Sequence, residues 1–208
     1  GEGLANLITV PTVSSGQSGV VNAGTYIANY TASGGVADNY NFQYFTGNLV
    51  VNKKNLNVTA NNQSINYGVS VPATTVSYSG FIPGEDASFL DTVPTSSSVQ
   101  SGIVPAGTYA ANYTASGGVD DNYSFSYTPG TLTVTPAGLN VIVASQSVTY
   151  GDAVPTTSFT YSGFISGEDA SYLTTQPTVS SSLSGIQHGG TYSGNYTASG
   201  GVDDNYSF

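Results

Sequence analysis

The sequence predicts a mainly β chain made of tandem copies of one small domain. A repeat of fixed offset, short runs that alternate apolar and polar residues, and glycine- and proline-bearing turn signals between those runs all lead there. The string NYTASGGV starts at Asn29, Asn112 and Asn195, each 83 positions after the one before. At the same offset LNVTA (Leu56–Ala60) returns as LNVIV (Leu139–Val143), and SINYGVSVP (Ser64–Pro72) returns as SVTYGDAVP (Ser147–Pro155). YSGFIPGEDASFL likewise returns as YSGFISGEDASYL, and the opening GEGLANLITVPT matches Gly84–Thr95 without a gap. Phe208 aligns with Phe125, so SYTPGTLTVTP has no third version. The expectation is a partial copy over 1–55, a complete copy over 56–138 and a partial copy over 139–208, part of a longer array.

Each element of the complete copy follows from its pattern. LNVTA sets Leu56, Val58 and Ala60 on one face of a strand, and TTVSYSGF sets Val76 and Tyr78 against Phe81. PGEDASFL (Pro83–Leu90) breaks the period of two. Pro and Gly stand at its head, acids follow, and Ala87 and Leu90 are spaced as in a short helix, which would lie across the sheet. In GTYAANYTA, Tyr109, Ala111, Tyr113 and Ala115 alternate with Thr108, Ala110, Asn112 and Thr114. SGGVDDN is then a glycine turn, where the two glycines permit positive φ or close backbone approach. NYSFSY aligns Tyr123, Phe125 and Tyr127, YTPGT places Pro-Gly in hairpin position, and TLTVT aligns Leu132 with Val134. Most strands are expected to be antiparallel.

Composition narrows the function. There is no cysteine, so neither a disulfide nor a thiolate metal site staples the copy. Only 7% of residues are charged, and the two cations, Lys53 and Lys54, are adjacent. The complete copy carries Glu85, Asp86, Asp91, Asp120 and Asp121 with no Lys or Arg. A net charge of −10 without basic side chains repels phosphates and anionic lipid, which excludes nucleic acid and membrane-surface partners. No run approaches the roughly 18 to 20 apolar residues that span a bilayer, so membrane insertion is not expected. The Ser-, Thr-, Asn- and Gly-rich surface fits an extracellular protein.

The order of motifs, from SINYGVSVP through YSGFIPGEDASFL and AGTYAANYTASG to NYSFSYTPGTLTVTP, resembles the MBG-type repeat, in the variety marked by Tyr-Gly after the first strands. Such repeats stand in tandem in bacterial surface adhesins, including filamentous haemagglutinin-like exoproteins. The resemblance implies a β-grasp-like domain with one short helix per repeat, a stalk or fibre role at the bacterial cell surface, and no active site. An Ig-like β-sandwich is the alternative architecture. The chain departs from the pattern at Ala37, where the other copies have Asp120 and Asp203, and at NKKN (Asn52–Asn55), which replaces the TPAG joint.

Candidate chemistry is sparse. His188 is the only histidine, and its counterpart in the complete copy is Pro105, so that copy holds no His-based nucleophilic triad. The acid pairs Glu85–Asp86 and Asp120–Asp121 suggest a glycosidase pair or a calcium site, with Asp120, Asp121, Asp203 and Asp204 as the calcium candidates. Against this, VDDN lacks the spacing of an EF-hand loop, and acids at a helix start or turn need no ligand. A Lys–Asn isopeptide crosslink is excluded from the complete copy, which has no Lys. The NYT, NVT, NQS and NYS strings have the form of glycan acceptors, which chance alone supplies in so Asn-rich a chain. The sixteen tyrosines read as core residues with hydroxyls reaching the edge of the domain, rather than as a sugar platform. No catalytic residue and no cofactor follow, and the chain is read as a non-enzyme. Two functions are expected in order: a spacer holding a binding tip away from the cell, or repeats that are themselves adhesive through multivalency. Neighbouring copies are the expected partners, with strand exchange or lateral packing between chains where sheet edges are open.

Overall fold

The structure, a computed structural model, describes residues 3–208. Strands hold 43% of the chain and helical turns 4%, so the fold is mainly β. The first copy supplies β1 (Thr12–Ser15), β2 (Gly24–Ser33) and β3 (Gly47–Val51). The middle copy supplies β4 (Lys54–Ala60, whose first two residues end the first copy), β5 (Gln63–Asn66), β6 (Val76–Ser79), β7 (Thr95–Ser98), β8 (Gly107–Ser116), β9 (Tyr123–Thr128) and β10 (Gly130–Thr135). The middle copy ends in β11 (Ala137–Gly138), and the third copy supplies β12 (Asn140–Val143), β13 (Phe159–Ser162), β14 (Thr178–Ser181), β15 (Tyr196–Ser199) and β16 (Tyr206–Ser207). No helix among the described residues is long and apolar enough to cross a membrane.

The chain forms two compact units, and each draws on two copies. One consists of Gly1–Thr59, Val76–Thr95 and Ala115–Thr128. Its first-copy strands pair antiparallel in the order β1-β2-β3, and its second sheet has the order β6-β4-β9. There β4 runs parallel to β9, from Lys54 opposite Tyr123 to Thr59 opposite Thr128. The alternation in LNVTA holds, because Leu56, Val58 and Ala60 are all fully buried. Leu56, Leu90 and Tyr123 form a core, joined by Tyr78, Phe81 and Phe125.

The other unit consists of Ala60–Thr75, Ser96–Thr114 and Pro129–Phe208. Its main sheet has the order β5-β10-β8-β7, with β10 parallel to β5 and antiparallel to β8. Leu132 and Val134 of β10 are buried, as their alternation predicts. Third-copy strands add the pairs β12-β13 and β14-β15, and β11 of the middle copy pairs with β16 of the third. A second core gathers Leu139, Leu173 and Tyr206 with Tyr67, Tyr161 and Phe164.

Three local expectations change. Pro129-Gly130 is not a hairpin turn: β9 and β10 lie in different sheets, because each finds a parallel partner, β4 and β5 respectively. The expected short helix is a single 3-10 turn at Ala87–Phe89, repeated at Ala170–Tyr172. Asp86 explains its brevity. Its carboxylate accepts the Ser88 amide at 2.8 Å and the Ser88 hydroxyl at 2.6 Å, which closes a local turn. Leu90 then leaves in extended geometry, at φ −74° and ψ 140°. Finally, GTYAANYTA does not alternate throughout. Tyr109 pairs with Leu132 and Tyr113 with Gly130, so β8 carries two more residues than β10 over this stretch. Ala111 absorbs the bulge in the left-handed region at φ 53°, which turns Ala111 outward and Asn112 inward.

Candidate functional site

The first question is what the repeated NYTASGGV does. Its asparagine sits in the bulge: Asn112 is only 2% exposed, and Asn29 and Asn195 are buried too. The Asn112 Oδ1 accepts the Gln100 amide at 3.0 Å, and its Nδ2 donates to Ser98 Oγ at 3.0 Å. Asn195 Oδ1 likewise accepts the Leu183 amide at 3.0 Å. These asparagines satisfy a tight loop that has no ladder of its own. At Asn29 and Asn112 the side-chain nitrogen is buried and donates to a serine hydroxyl, so in the folded chain these two NYT strings present nothing for glycan transfer. The bulge position is Ala28 in the first copy at φ 55°, and the third copy places Gly194 there at φ 70°.

The two glycines have separate reasons. Gly117 takes φ +84°, a conformation that glycine adopts without strain. At Gly118 a Cβ would come within 2.7 Å of the Phe125 ring and 2.8 Å of Pro94, so the aromatic strand lies directly on its backbone. Its amide also donates to the Tyr127 hydroxyl at 2.9 Å, as Gly35 does to Tyr44 at 2.8 Å. Tyrosine hydroxyls serve the same purpose elsewhere. Tyr26, Tyr109 and Tyr192 each donate to the carbonyl four residues earlier, at Asn22, Pro105 and His188. Tyr113 and Tyr196 reach Pro72 and Pro155. The core reading of the tyrosines therefore holds for Tyr113, Tyr123 and Tyr206, while others such as Tyr150 and Tyr172 stay exposed.

The most distinctive chemistry lies where one copy meets the next. Within the first unit the Ala23 amide of the first copy donates to Asn122 Oδ1 of the middle copy at 2.8 Å. Within the second unit the Ala106 amide donates to Asn205 Oδ1 at 2.7 Å, the same contact moved by one repeat. Asn122 and Asn205 also accept the Lys54 and Ala137 amides through their backbone carbonyls, each at 2.9 Å. Lys53 adds a bond from its ammonium to the Asp120 carbonyl at 2.7 Å, at the place where the next joint has Pro136.

The Tyr-Gly pair of the middle copy completes the joint. The Tyr67 hydroxyl donates to Glu168 Oε1 at 2.6 Å, while Tyr206 donates to Glu168 Oε2 at 2.6 Å. The Tyr67 and Tyr206 rings meet edge to face at 5.6 Å. Gly68, at φ +93°, packs against Ile165 so closely that any Cβ would overlap the isoleucine side chain. Burial, then the Glu168 carboxylate, pushes the Tyr206 hydroxyl up to about 12 and raises Tyr67 as well. Both phenols are thus held neutral, as donors. Sequence reasoning reads Glu85 as a helix-start acid and passes over Glu168, its counterpart one repeat on; the available signal is the shared offset of Tyr67-Gly68 and the EDAS segment.

The remaining acids and His188 are dispersed. Asp120 is 8% exposed, and its Oδ1 accepts the Asn122 amide at 2.6 Å and the Tyr123 amide at 2.9 Å, capping the VDDN turn. Asp203 Oδ1 accepts the Asn205 amide at 2.8 Å, and its Oδ2 takes the Thr174 amide. Asp121 and Asp204 point to solvent. Among the described residues no group of three or more acidic, histidine or cysteine side chains is gathered as metal ligands would be. Glu85 accepts the Tyr123 hydroxyl at 2.7 Å while Asp86 caps its turn, so the two carboxylates have separate tasks. His188 is exposed.

A comparison with curated proteins and with solved structures finds no match. The sequence pattern of the MBG domain (YGX type) matches residues 56–133 and again residues 139–208. The Tyr-Gly pair of that description is Tyr67-Gly68 in the first match, the pair that docks onto the following copy, and the chain belongs to the MBG domain (YGX type) family.

Proposed function

We propose that this chain is a non-catalytic structural stretch of a bacterial surface adhesin, a spacer that carries a binding tip away from the cell. The family is one of repeats in surface proteins. The observation that carries the finer reading is the joint, in which an amide of one copy is capped by an asparagine of the next at both junctions. The second junction adds the Tyr67–Glu168–Tyr206 bonds. A spacer needs each copy fixed to its neighbour, and these bonds tie one copy to the next. The folding unit we propose remains the 83-residue copy, with the complete one at 56–138.

The rival reading, repeats that are themselves adhesive, would use the exposed tyrosines as stacking platforms for sugars. A glycan array and a mucin-binding assay on the 208-residue chain separate the two. The spacer reading expects no saturable binding, and saturable, competable binding would replace it with the adhesive one.

A further inference from the structure

The opening and closing strands of the middle copy run side by side. β4 lies parallel to β9, from Lys54 opposite Tyr123 to Thr59 opposite Thr128, and β5 lies parallel to β10, from Gln63 opposite Leu132 to Asn66 opposite Thr135. In both ladders each residue faces the one 69 positions later. Side-chain bonds keep the same register. Asn62 Oδ1 accepts the Thr131 amide at 2.7 Å, Ser126 donates its hydroxyl to Asn57 Oδ1, and Thr135 donates its hydroxyl to Asn66 Oδ1 at 2.7 Å. The first ladder opens with the Lys54 amide on the Asn122 carbonyl at 2.9 Å, and the second closes with the Tyr67 amide on the Thr135 carbonyl at 2.8 Å.

At the start of β10 the backbones touch. A Cβ at Gly130 would overlap the Ala60 carbonyl and come within 2.9 Å of the Asn61 carbonyl. β4 and β10 are also inner strands, of the β6-β4-β9 and β5-β10-β8-β7 sheets, and they carry the fully buried Leu56, Val58, Ala60 and Leu132. One repeat on, a parallel ladder of the same register starts again, with Ala137 opposite Tyr206 and Gly138 opposite Ser207.

The chain enters β4 from the first copy and leaves β10 toward the third. In a parallel ladder the leading end of one strand and the trailing end of the other lie at opposite ends, so tension along the chain slides the strands past each other and loads every rung at once. A hairpin, whose two free ends lie together, opens rung by rung instead. From this register we infer that the paired strands are a shear clamp, which makes the copy a load-bearing link that resists extension. Each ladder has this geometry on its own. The inference rests on the spacer reading, in which load arrives through neighbouring copies, but the two fail separately. Glycan binding would overturn that reading and leave the clamp, whereas a low end-to-end unfolding force would overturn the clamp alone.

Single-molecule force measurements on the 208-residue chain test it, because a chain without cysteine can be pulled through any introduced pair. Asn52→Cys with Pro136→Cys applies load to opposite ends of the ladders. Asn52→Cys with Asp121→Cys applies it where β4 and β9 both start, and all three positions are exposed. The native contacts are the same in both pairs, so a difference in force reports direction alone. At equal loading rate the first pair is expected to unfold at the higher force, with a gain of about 3.3–3.6 Å for each residue released between the attachment points. Asn62→Ala removes the bond to the Thr131 amide, and in the first pair it should quicken unfolding about fivefold at a fixed force. In the second pair it should change nothing, because peeling breaks the rungs beside Lys54 first. An equal or lower force for the first pair, or an Asn62→Ala effect as large in the second pair as in the first, would overturn the assignment.

Discussion

Asn112→Ala is the substitution whose cost follows most directly from the geometry. Asn112 is 2% exposed, receives the Gln100 amide at 3.0 Å and donates to Ser98 Oγ at 3.0 Å. Losing the bond to Ser98 costs about 1 kcal/mol and stranding the Gln100 amide about 1–3 kcal/mol, so the loss should total about 2–4 kcal/mol. The first copy supplies an internal control. Asn29 keeps its bond to Ser15 Oγ at 3.0 Å, but its Oδ1 is buried without a partner, so Asn29→Ala gives up only one bond. Its cost should be nearer about 1 kcal/mol. Urea midpoints of the 208-residue chain measure both, with amide exchange at Gln100 reporting the local loss. Equal costs for the two substitutions, or a Gln100 amide still protected in Asn112→Ala, would refute this account of the bulge.

Other substitutions probe the remaining features. Gly118→Ala places a methyl 2.7 Å from the Phe125 ring and should cost about 1–3 kcal/mol by thermal unfolding, with Phe125→Leu partly relieving it. Ala111→Gly should stabilise by up to about 1 kcal/mol, because Ala111 sits at φ 53° and left-handed strain costs an alanine about 1–2 kcal/mol, which outweighs the added freedom of the unfolded glycine. A lower urea midpoint in that variant would show the bulge to be unstrained. Alkaline pH tests the joint. The Tyr206 phenol is pushed from its ordinary value near 10 to about 12, and Tyr67 is raised too, so the unfolded chain loses these protons first. The stability they contribute is complete below about pH 10 and falls as pH rises toward about 12, while Tyr206→Phe should flatten that fall.

The parts of the fold that could be read from sequence are those governed by side-chain period alone. Leu56, Val58 and Ala60, and Leu132 with Val134, needed only alternation and a buried face. The misjudged parts turn on which strand finds which partner. Pro129-Gly130 has the composition of a hairpin, but local composition does not register that β4 and β5 offer β9 and β10 parallel partners. The inward turn of Asn112 depends on a left-handed alanine, which propensity disfavours and only the loop from Ser98 to Gln100 justifies. The joint was hidden for a related reason. Tyr67-Gly68 looks like the end of a strand within one copy, and its role appears only when Glu168, Tyr206 and Ile165 of the next copy are set against it.

Whether the copies are latched together by the Tyr-Gly pair and the asparagine caps can be measured at single amides. In the intact chain the Ala23 and Ala106 amides, bonded to Asn122 and Asn205, should exchange slowly with solvent. Gly68→Ala, which drives a methyl into Ile165, should release Ala106 while leaving Ala23 protected. Rapid exchange at both alanines in the unaltered chain, or an Ala106 amide untouched by Gly68→Ala, would contradict the latch and the spacer built on it.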